Sequence, residues 1–222
     1  MPAVLFGSIG TIADTSELQR AAFNDAFAEH GLEWNWSQPE YRELLQGSGG
    51  AKRVADYAQA RGETVDADAV HATKSQRFQD KLRTDRPALR PGLAETVAQA
   101  RQDGYKLALV TTTSAENIAA LAEAVRPDVD LDSFDLIVDT SRVQESKPSP
   151  EVFRYALEQL QEQAGECVAV EDNVGGVQAA VAAGLTCVAF PGENNADHDF
   201  AGATERVDSL TFADLQTLAS AA

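Results

Sequence analysis

Short apolar runs alternate with helical segments over the second half of this chain, and this alternation limits the folds open to it more than any other feature. An apolar run at Ala3–Phe6 predicts an earlier strand of the same kind. Repeated βα units predict a doubly wound parallel α/β sheet of the Rossmann type, covered by helices on both faces. The later predicted strands are Lys106–Thr111, Phe134–Val138, Cys167–Val170 and Thr186–Phe190, and the helices are Gly92–Asp103, Ala115–Val125, Pro150–Gln161 and Val174–Ala183.

Residues 15–89 carry no strand pattern and interrupt the alternation after its first strand. They predict an inserted α-helical cap domain, and residues 1–14 and 90–222 predict the α/β core domain. The hinges are expected near residues 14–17 and 85–92, where Pro87, Pro91 and Gly92 break helical structure. The predicted cap helices are Thr15–Gly31, Gln38–Gln46, Ala51–Arg61 and Asp66–Thr84.

Composition narrows the classes of partner. The 222 residues are 44% hydrophobic, which is enough for a sizeable core, and the formal net charge is −17. Such a charge repels nucleic acid and anionic membranes, so neither is an expected partner. No apolar run approaches the length of a membrane span, and we expect a cytoplasmic protein. Cys167 and Cys187 lie in apolar strand patterns, which predicts buried, reduced thiols.

The end of the first predicted strand lacks reactive side chains. Gly7 follows the strand directly, and Ile9 comes two residues later. Neither side chain is a nucleophile or can exchange a proton. Alternation along the strand predicts that Ser8 points away from Gly7, and no histidine lies near it in sequence. Ser8 is therefore not expected to be a nucleophile, and Asp14, past the turn, is expected at the hinge.

Polar groups follow the next strands at positions suited to a phosphate. Thr111 and Thr112 stand at a strand end beside a helix N-terminus, where free amides and hydroxyls bind anions, whereas Thr113 and Ser114 are better explained as helix caps. Lys147 stands before a Pro-rich helix start, where it is well placed as a fixed positive charge, and a solvated surface lysine is the alternative.

Two adjacent carboxylates, Glu171 and Asp172, end a buried strand. Carboxylates in such a place are costly unless they serve a cation or cap a helix. A metal site is one reading of the pair. Helix capping together with an ion pair to Lys147 is the other.

Together these segments resemble the four motifs of the haloacid-dehalogenase superfamily, and details such as the paired tryptophans at Trp34 and Trp36 are similar to its CbbY-type sugar-bisphosphate phosphatases, near β-phosphoglucomutase and phosphoglycolate phosphatase. The resemblance implies phosphoryl transfer through an aspartyl-phosphate with Mg²⁺. It places Gly7 where the family has its nucleophilic aspartate and Ile9 where it has its general acid/base. Gln19 stands where relatives have a hinge histidine, and Ser8 stands where the family has an apolar residue that points into the core.

The same resemblance implies roles for the retained residues. Thr111, Thr112 and Lys147 match phosphate-binding positions, and Glu171 and Asp172 match metal-binding positions. In the cap, Arg53 matches a basic position that contacts the substrate's distal phosphate, and Lys52 is its neighbour; an exposed helix face is the alternative for both.

Loss of both aspartates predicts loss of normal phosphatase activity. We expect no tightly bound cofactor, weakened Mg²⁺ binding, and a pairing of Lys147 with Asp172 or Glu171. The expected function is binding of a small phosphorylated molecule between Thr111, Lys147 and the cap. The alternatives are a hydrolase with a non-standard route and a pseudoenzyme that acts through an unknown protein partner.

Overall fold

The computed structural model describes residues 2–47 and 49–220, in which six parallel strands form one sheet in the order β3-β2-β1-β4-β5-β6. Met1, Ser48, Ala221 and Ala222 fall within the predicted domains but lie outside the described residues. The strands are β1 (Ala3–Phe6), β2 (Lys106–Val110), β3 (Leu136–Val138), β4 (Val168–Glu171), β5 (Thr186–Ala189) and β6 (Glu205–Arg206).

Helices cover both faces of the sheet. Alternate residues of β1 point to opposite sides: Val4 and Phe6 join one apolar cluster, and Ala3 and Leu5 join another. The first cluster includes α5, α6 and α9, and the second includes α7 and α8. This arrangement confirms the predicted doubly wound α/β fold. The helices are α1 (Ser16–Glu29), α2 (Gln38–Leu44), α3 (Gly50–Arg61), α4 (Ala67–Asp85), α5 (Leu93–Gln102), α6 (Ala115–Val125), α7 (Glu151–Leu160), α8 (Val174–Ala182) and α9 (Phe212–Ser220).

Helices α1–α4 come between β1 and α5, and they enclose an aromatic cluster of their own. Trp36 packs against Phe23 and Phe27 with ring centroids 4.8 and 4.6 Å apart. We propose that residues 15–89 form the cap domain. An antiparallel bridge between Ala13 and Leu89 joins the two connections at its base.

Two elements, β6 and α9, lie beyond residue 190, where the sequence predicted none. Strand β3 is shorter than predicted because Phe134 ends a short 3₁₀ turn over Leu131–Ser133 and is buried there. Cys167 and Cys187 are buried free thiols, as predicted. Within the described ranges, the helices are too short or too polar for any of them to traverse a bilayer.

The topology places a functional site beside β1. The chain continues from β1 to β2 and β3 on one side, and to β4, β5 and β6 on the other. The strand order therefore reverses at β1, and open α/β sheets bind ligands beyond the carboxyl ends of the strands at such a point.

Candidate functional site

A cavity of about 490 Å³ lies between the carboxyl ends of the strands and helices α1, α3 and α4. It brings together nearly all of the site residues predicted from the sequence. Glu171 is the exception: it has no exposed surface and lies behind the cavity wall. The predicted residues that line the cavity are Gly7, Ile9, Gln19, Lys52, Arg53, Thr111, Thr112, Lys147 and Asp172.

The carboxylate of Glu171 fills the space beside Gly7. A Cβ atom on Gly7 would stand 2.1 Å from Oε1 of Glu171, far inside van der Waals contact. A Cβ on Gly176, at the start of α8, would stand 2.1 Å from Oε2 of the same carboxylate. Two glycines therefore leave the room in which this side chain sits, and the space for a side chain at position 7 is already occupied.

Lys147 holds the Glu171 carboxylate in that position. Its Nζ lies 2.6 Å from Oε1 of Glu171, and it also donates to the carbonyl oxygens of Val110, at 2.8 Å, and of Gly7. Burial raises the pKa of Glu171 to about 7, while the Lys147 ammonium acts in the opposite direction. Of the two predicted partners of Lys147, the structure selects Glu171.

The expectation that Ser8 points into the core is wrong. Strand β1 ends at Phe6, so the alternation of side chains does not extend to Ser8, which instead caps a 3₁₀ helix over Ile9–Thr11. Its Oγ donates to Oδ1 of Asp172 at 2.7 Å and accepts the Gly10 N–H at 3.0 Å. Ser8 therefore faces the cavity with a carboxylate as its hydrogen-bond acceptor.

The hydroxyl-bearing residues that follow β2 have different roles. Ser114 accepts the Asn117 N–H at 3.4 Å as the cap of α6, as predicted. Thr113 accepts from the Asn117 side chain at 2.9 Å. Thr111 is buried, and its Oγ1 accepts the Thr113 N–H at 3.2 Å. Thr111 and Thr112 both line the cavity.

The two predicted cap residues differ in their surroundings. The Lys52 side chain is 71% exposed and lies 2.5 Å from Asp56, as expected for an outward helix face. Arg53 points inward, where its guanidinium donates to the carbonyl oxygens of Leu44 and Gly47, each at 2.8 Å. Arg53 is thus the better placed of the two to meet a ligand.

Sequence reasoning missed Lys74. Its Nζ donates to Oε1 of Gln19 at 3.0 Å, so the residue at the hinge-histidine position contacts a buried lysine of α4. The signal was present in the sequence. Val70, Lys74 and Phe78 recur every four residues, which places the lysine on the buried stripe of that helix.

The residues present do not fit a Mg²⁺ ion. Magnesium prefers octahedral oxygen ligands that include carboxylates, but positions 7 and 9 supply none, and Glu171 is committed to Lys147. Asp172 accepts hydrogen bonds from Ser8 and from the Asn173 side chain, the latter at 2.8 Å. Across the described part of the chain, no three His, Cys, Asp or Glu side chains are grouped to hold a metal.

Gly7→Ala is expected to lower the free energy of unfolding by about 1–3 kcal/mol, because the new Cβ overlaps the Glu171 carboxylate. Gly165→Ala is the matched control, since a Cβ there meets nothing within 4 Å, and it is expected to change stability by less than about 0.5 kcal/mol. Urea denaturation of both variants measures the difference. Equal stability of the two variants would show that Glu171 does not occupy this space.

Comparison with known proteins agrees with this architecture. A model of the haloacid dehalogenase-like hydrolase family matches residues 1–184. Protein CbbY of Cereibacter sphaeroides is 41% identical over 98% of this chain and 95% of its own length. The plasmid-borne CbbY of Cupriavidus necator is 39% identical over 91% of this chain and 83% of its own.

Solved structures of CbbY also match this chain. A variant of CbbY from Rhodobacter sphaeroides in complex with xylulose-1,5-bisphosphate superimposes with a TM-score of 0.86, at 40% identity over 97% of this chain and 96% of that one. CbbY from the same organism in complex with phosphate gives 0.84 at 39% identity, with the same coverage. β-Phosphoglucomutase from Clostridium difficile superimposes with a TM-score of 0.77, at 20% identity over 100% of this chain and 98% of that one. This likeness concerns the fold alone. The chain belongs to the haloacid dehalogenase-like hydrolase family and resembles CbbY.

Proposed function

We propose that this protein binds a small phosphorylated sugar in the cavity and does not hydrolyse it by the aspartate route of its family. The observation that carries the proposal is the Glu171 carboxylate beside Gly7. It fills the space where a nucleophilic side chain would stand, while the rest of the cavity keeps groups suited to an anion.

The charge of the cavity supports an anionic ligand. Arg53 lines it with a guanidinium that contacts only carbonyl oxygens, whereas Asp172 is the one acidic side chain among its described lining residues. Lys52 and Lys147 also line the cavity, each paired with a carboxylate, in a chain whose formal charge is −17. A positive cleft in an acidic protein concentrates anions. The related CbbY structures contain phosphate and xylulose-1,5-bisphosphate.

We assign the ends of that ligand to two groups of residues. One phosphate is held by the Thr111 and Thr112 segment at the N-terminus of α6, near Lys147, where amides and hydroxyls meet. Arg53 contacts the distal phosphate from the cap. The roughly 490 Å³ of the cavity suits a small molecule of this kind.

Addition of xylulose-1,5-bisphosphate is expected to raise the melting temperature. Ligand at a hundred times its dissociation constant adds about 2.7 kcal/mol, which is about 5–10 °C for a chain of this size. Arg53→Ala is expected to weaken binding about tenfold or more, because it removes a charged donor from the cavity. Arg61→Ala, on the same helix but paired with Glu63, is the matched control and keeps the shift. The absence of any shift at millimolar ligand would contradict the proposal.

Magnesium is expected to bind weakly or not at all, because the ammonium of Lys147 already neutralises Glu171. Isothermal titration with MgCl₂ is expected to show no saturable binding below the millimolar range. A micromolar site with one ion per chain would show that Asp172 and its neighbours form a metal centre despite the loss of the two aspartates.

A second candidate function is hydrolysis by another route, and the contact between Ser8 and Asp172 favours it. A hydroxyl that donates to a carboxylate at 2.7 Å and faces the cavity has the arrangement of a nucleophile beside a base. Release of phosphate that is abolished by Ser8→Ala, with the melting temperature unchanged, would support this candidate over non-hydrolytic binding.

A further inference from the structure

Lys74 lies in a setting that the binding of phosphate does not explain. It belongs to α4 and lines the same cavity, yet only 5% of its surface is exposed. Its Nζ lies 4.9 Å from the ring centroids of both Phe23 and Phe78. Within residues 2–47 and 49–220, no acidic side chain forms an ion pair with it. The two ring faces attract an ammonium, but only by about 0.5–2 kcal/mol each. Without water or a carboxylate, this attraction does not replace the hydration that burial removes from a cation.

The charged and titratable groups that face Lys74 disfavour its ammonium form. Arg53 on α3 acts against the ammonium by its charge, His71 on α4 has a pKa lowered to about 4 and is neutral at pH 7, and α1 contributes the neutral Gln19 amide and the Phe23 ring. Burial, together with the Arg53 charge, lowers the pKa of Lys74 to about 7. At neutral pH a substantial fraction of this side chain is therefore the free amine.

Gln19 orients that amine without protonating it. Its Oε1 accepts one N–H of Lys74, and its amide nitrogen donates to Thr15 at 3.3 Å, which fixes which end of the amide faces the lysine. An amide has no proton to give at neutral pH, whereas a histidine at this position would exchange one. The lone pair of Nζ is then free to react with an electrophile in the cavity.

We infer that Lys74 is a carbonyl-binding amine, which forms an imine with a phosphorylated aldehyde or ketone held in this cavity. The inference rests on the proposed function, because the cationic groups of the cavity hold the phosphate end. Lysine amines that are desolvated or stand beside another cation are the ones that form Schiff bases.

The step balances without any further reactant. The Nζ lone pair adds to the carbonyl carbon, and a proton passes from nitrogen to the former carbonyl oxygen, which gives a carbinolamine. Loss of that oxygen as water forms the C=N bond of the imine. No electrons are gained or lost, and addition of water reverses the reaction.

Trapping with borohydride tests the inference. The protein is mixed with glycolaldehyde phosphate, reduced, digested and mapped by mass spectrometry. At pH 7.5 we expect Lys74 to be labelled at least about tenfold faster than Lys81, because the ammonium of Lys81 is held in an ion pair with Asp25 at 2.8 Å. Labelling at Lys74 is expected to rise with a midpoint near pH 7. Lys74→Arg removes the adduct, and Lys81→Arg, on the same helix, keeps it.

Glycerol phosphate, which has no carbonyl group, separates this inference from the proposed function. If it raises the melting temperature while Lys74 is labelled no faster than Lys81, the inference is overturned and the binding proposal stands. If it has no effect and no label appears at Lys74, both are overturned. If glycolaldehyde labels Lys74 as fast as glycolaldehyde phosphate does, the cavity does not hold the phosphate end of the ligand. Site mapping on the unmodified protein gives a result even if Lys74→Arg does not fold.

Discussion

Replacing Lys147 by methionine is expected to lower the free energy of unfolding by about 3–5 kcal/mol, which is the typical cost of leaving one member of a buried ion pair without its partner. The side chains of Lys147 and Glu171 are 7% and 0% exposed, so water cannot replace the lost ammonium. The carbonyl oxygens of Val110 and Gly7 lose a donor as well. Chemical denaturation at pH 8 measures the change.

The cost of Lys147→Met is expected to fall as the pH is lowered. Glu171 already has a pKa of about 7, and loss of the ammonium, which opposes this shift, raises it further. The folded variant therefore binds more protons than the unfolded chain from about pH 4.5 upward, and its stability is lost as the pH rises through that window. The variant is expected to be closest to the unmodified protein near pH 5.

Lys81→Met is the matched control for this experiment. Lys81 pairs with Asp25 at 2.8 Å on the surface, where such pairs contribute about 0–1 kcal/mol. The double variant Lys147→Met with Glu171→Leu is expected to recover much of the lost stability, since no charge is left buried. If Lys147→Met costs no more than Lys81→Met, the buried pair does not exist as described.

Hydrolysis of sugar phosphates is expected to be about 10⁴–10⁶-fold slower than in a family member with its catalytic unit intact. Loss of one member of such a unit commonly has an effect of this size, and loss of a second adds little because the members act together. Gly7 carries no nucleophile, and Ile9 is buried and cannot protonate a leaving group. Added Mg²⁺ is not expected to restore the rate.

The order of elements could be predicted because the signals are local. The apolar strands β1, β2, β4 and β5, each in register with its neighbour, carry continuous buried runs that need no partner to be recognised. The two-residue β6 has exposed side chains, and only its pairing with β5 defines it as a strand. A two-residue strand is too short for a periodic sequence pattern to predict it.

The site residues also fall into those that a local sequence pattern predicts and those that only the assembled fold places. Lys147 and Asp172 could be placed at the cavity from their motifs, because strand ends converge in this fold. The position of the Glu171 carboxylate could not be predicted from the sequence. It depends on the absence of side chains at both Gly7 and Gly176, which belong to different parts of the fold. Ser8 was misplaced because the strand ends two residues before it.

The central claim is that positions 7 and 9, at the end of β1, offer no carboxylate that can accept a phosphoryl group. The most direct test is release of inorganic phosphate from xylulose-1,5-bisphosphate by the unmodified chain in millimolar Mg²⁺, beside CbbY of Cereibacter sphaeroides, with mass spectrometry of the acid-quenched protein. The account predicts no release above background and no phosphorylated form of the chain. Rapid Mg²⁺-dependent release, or a phosphoryl group trapped on the polypeptide, would contradict it.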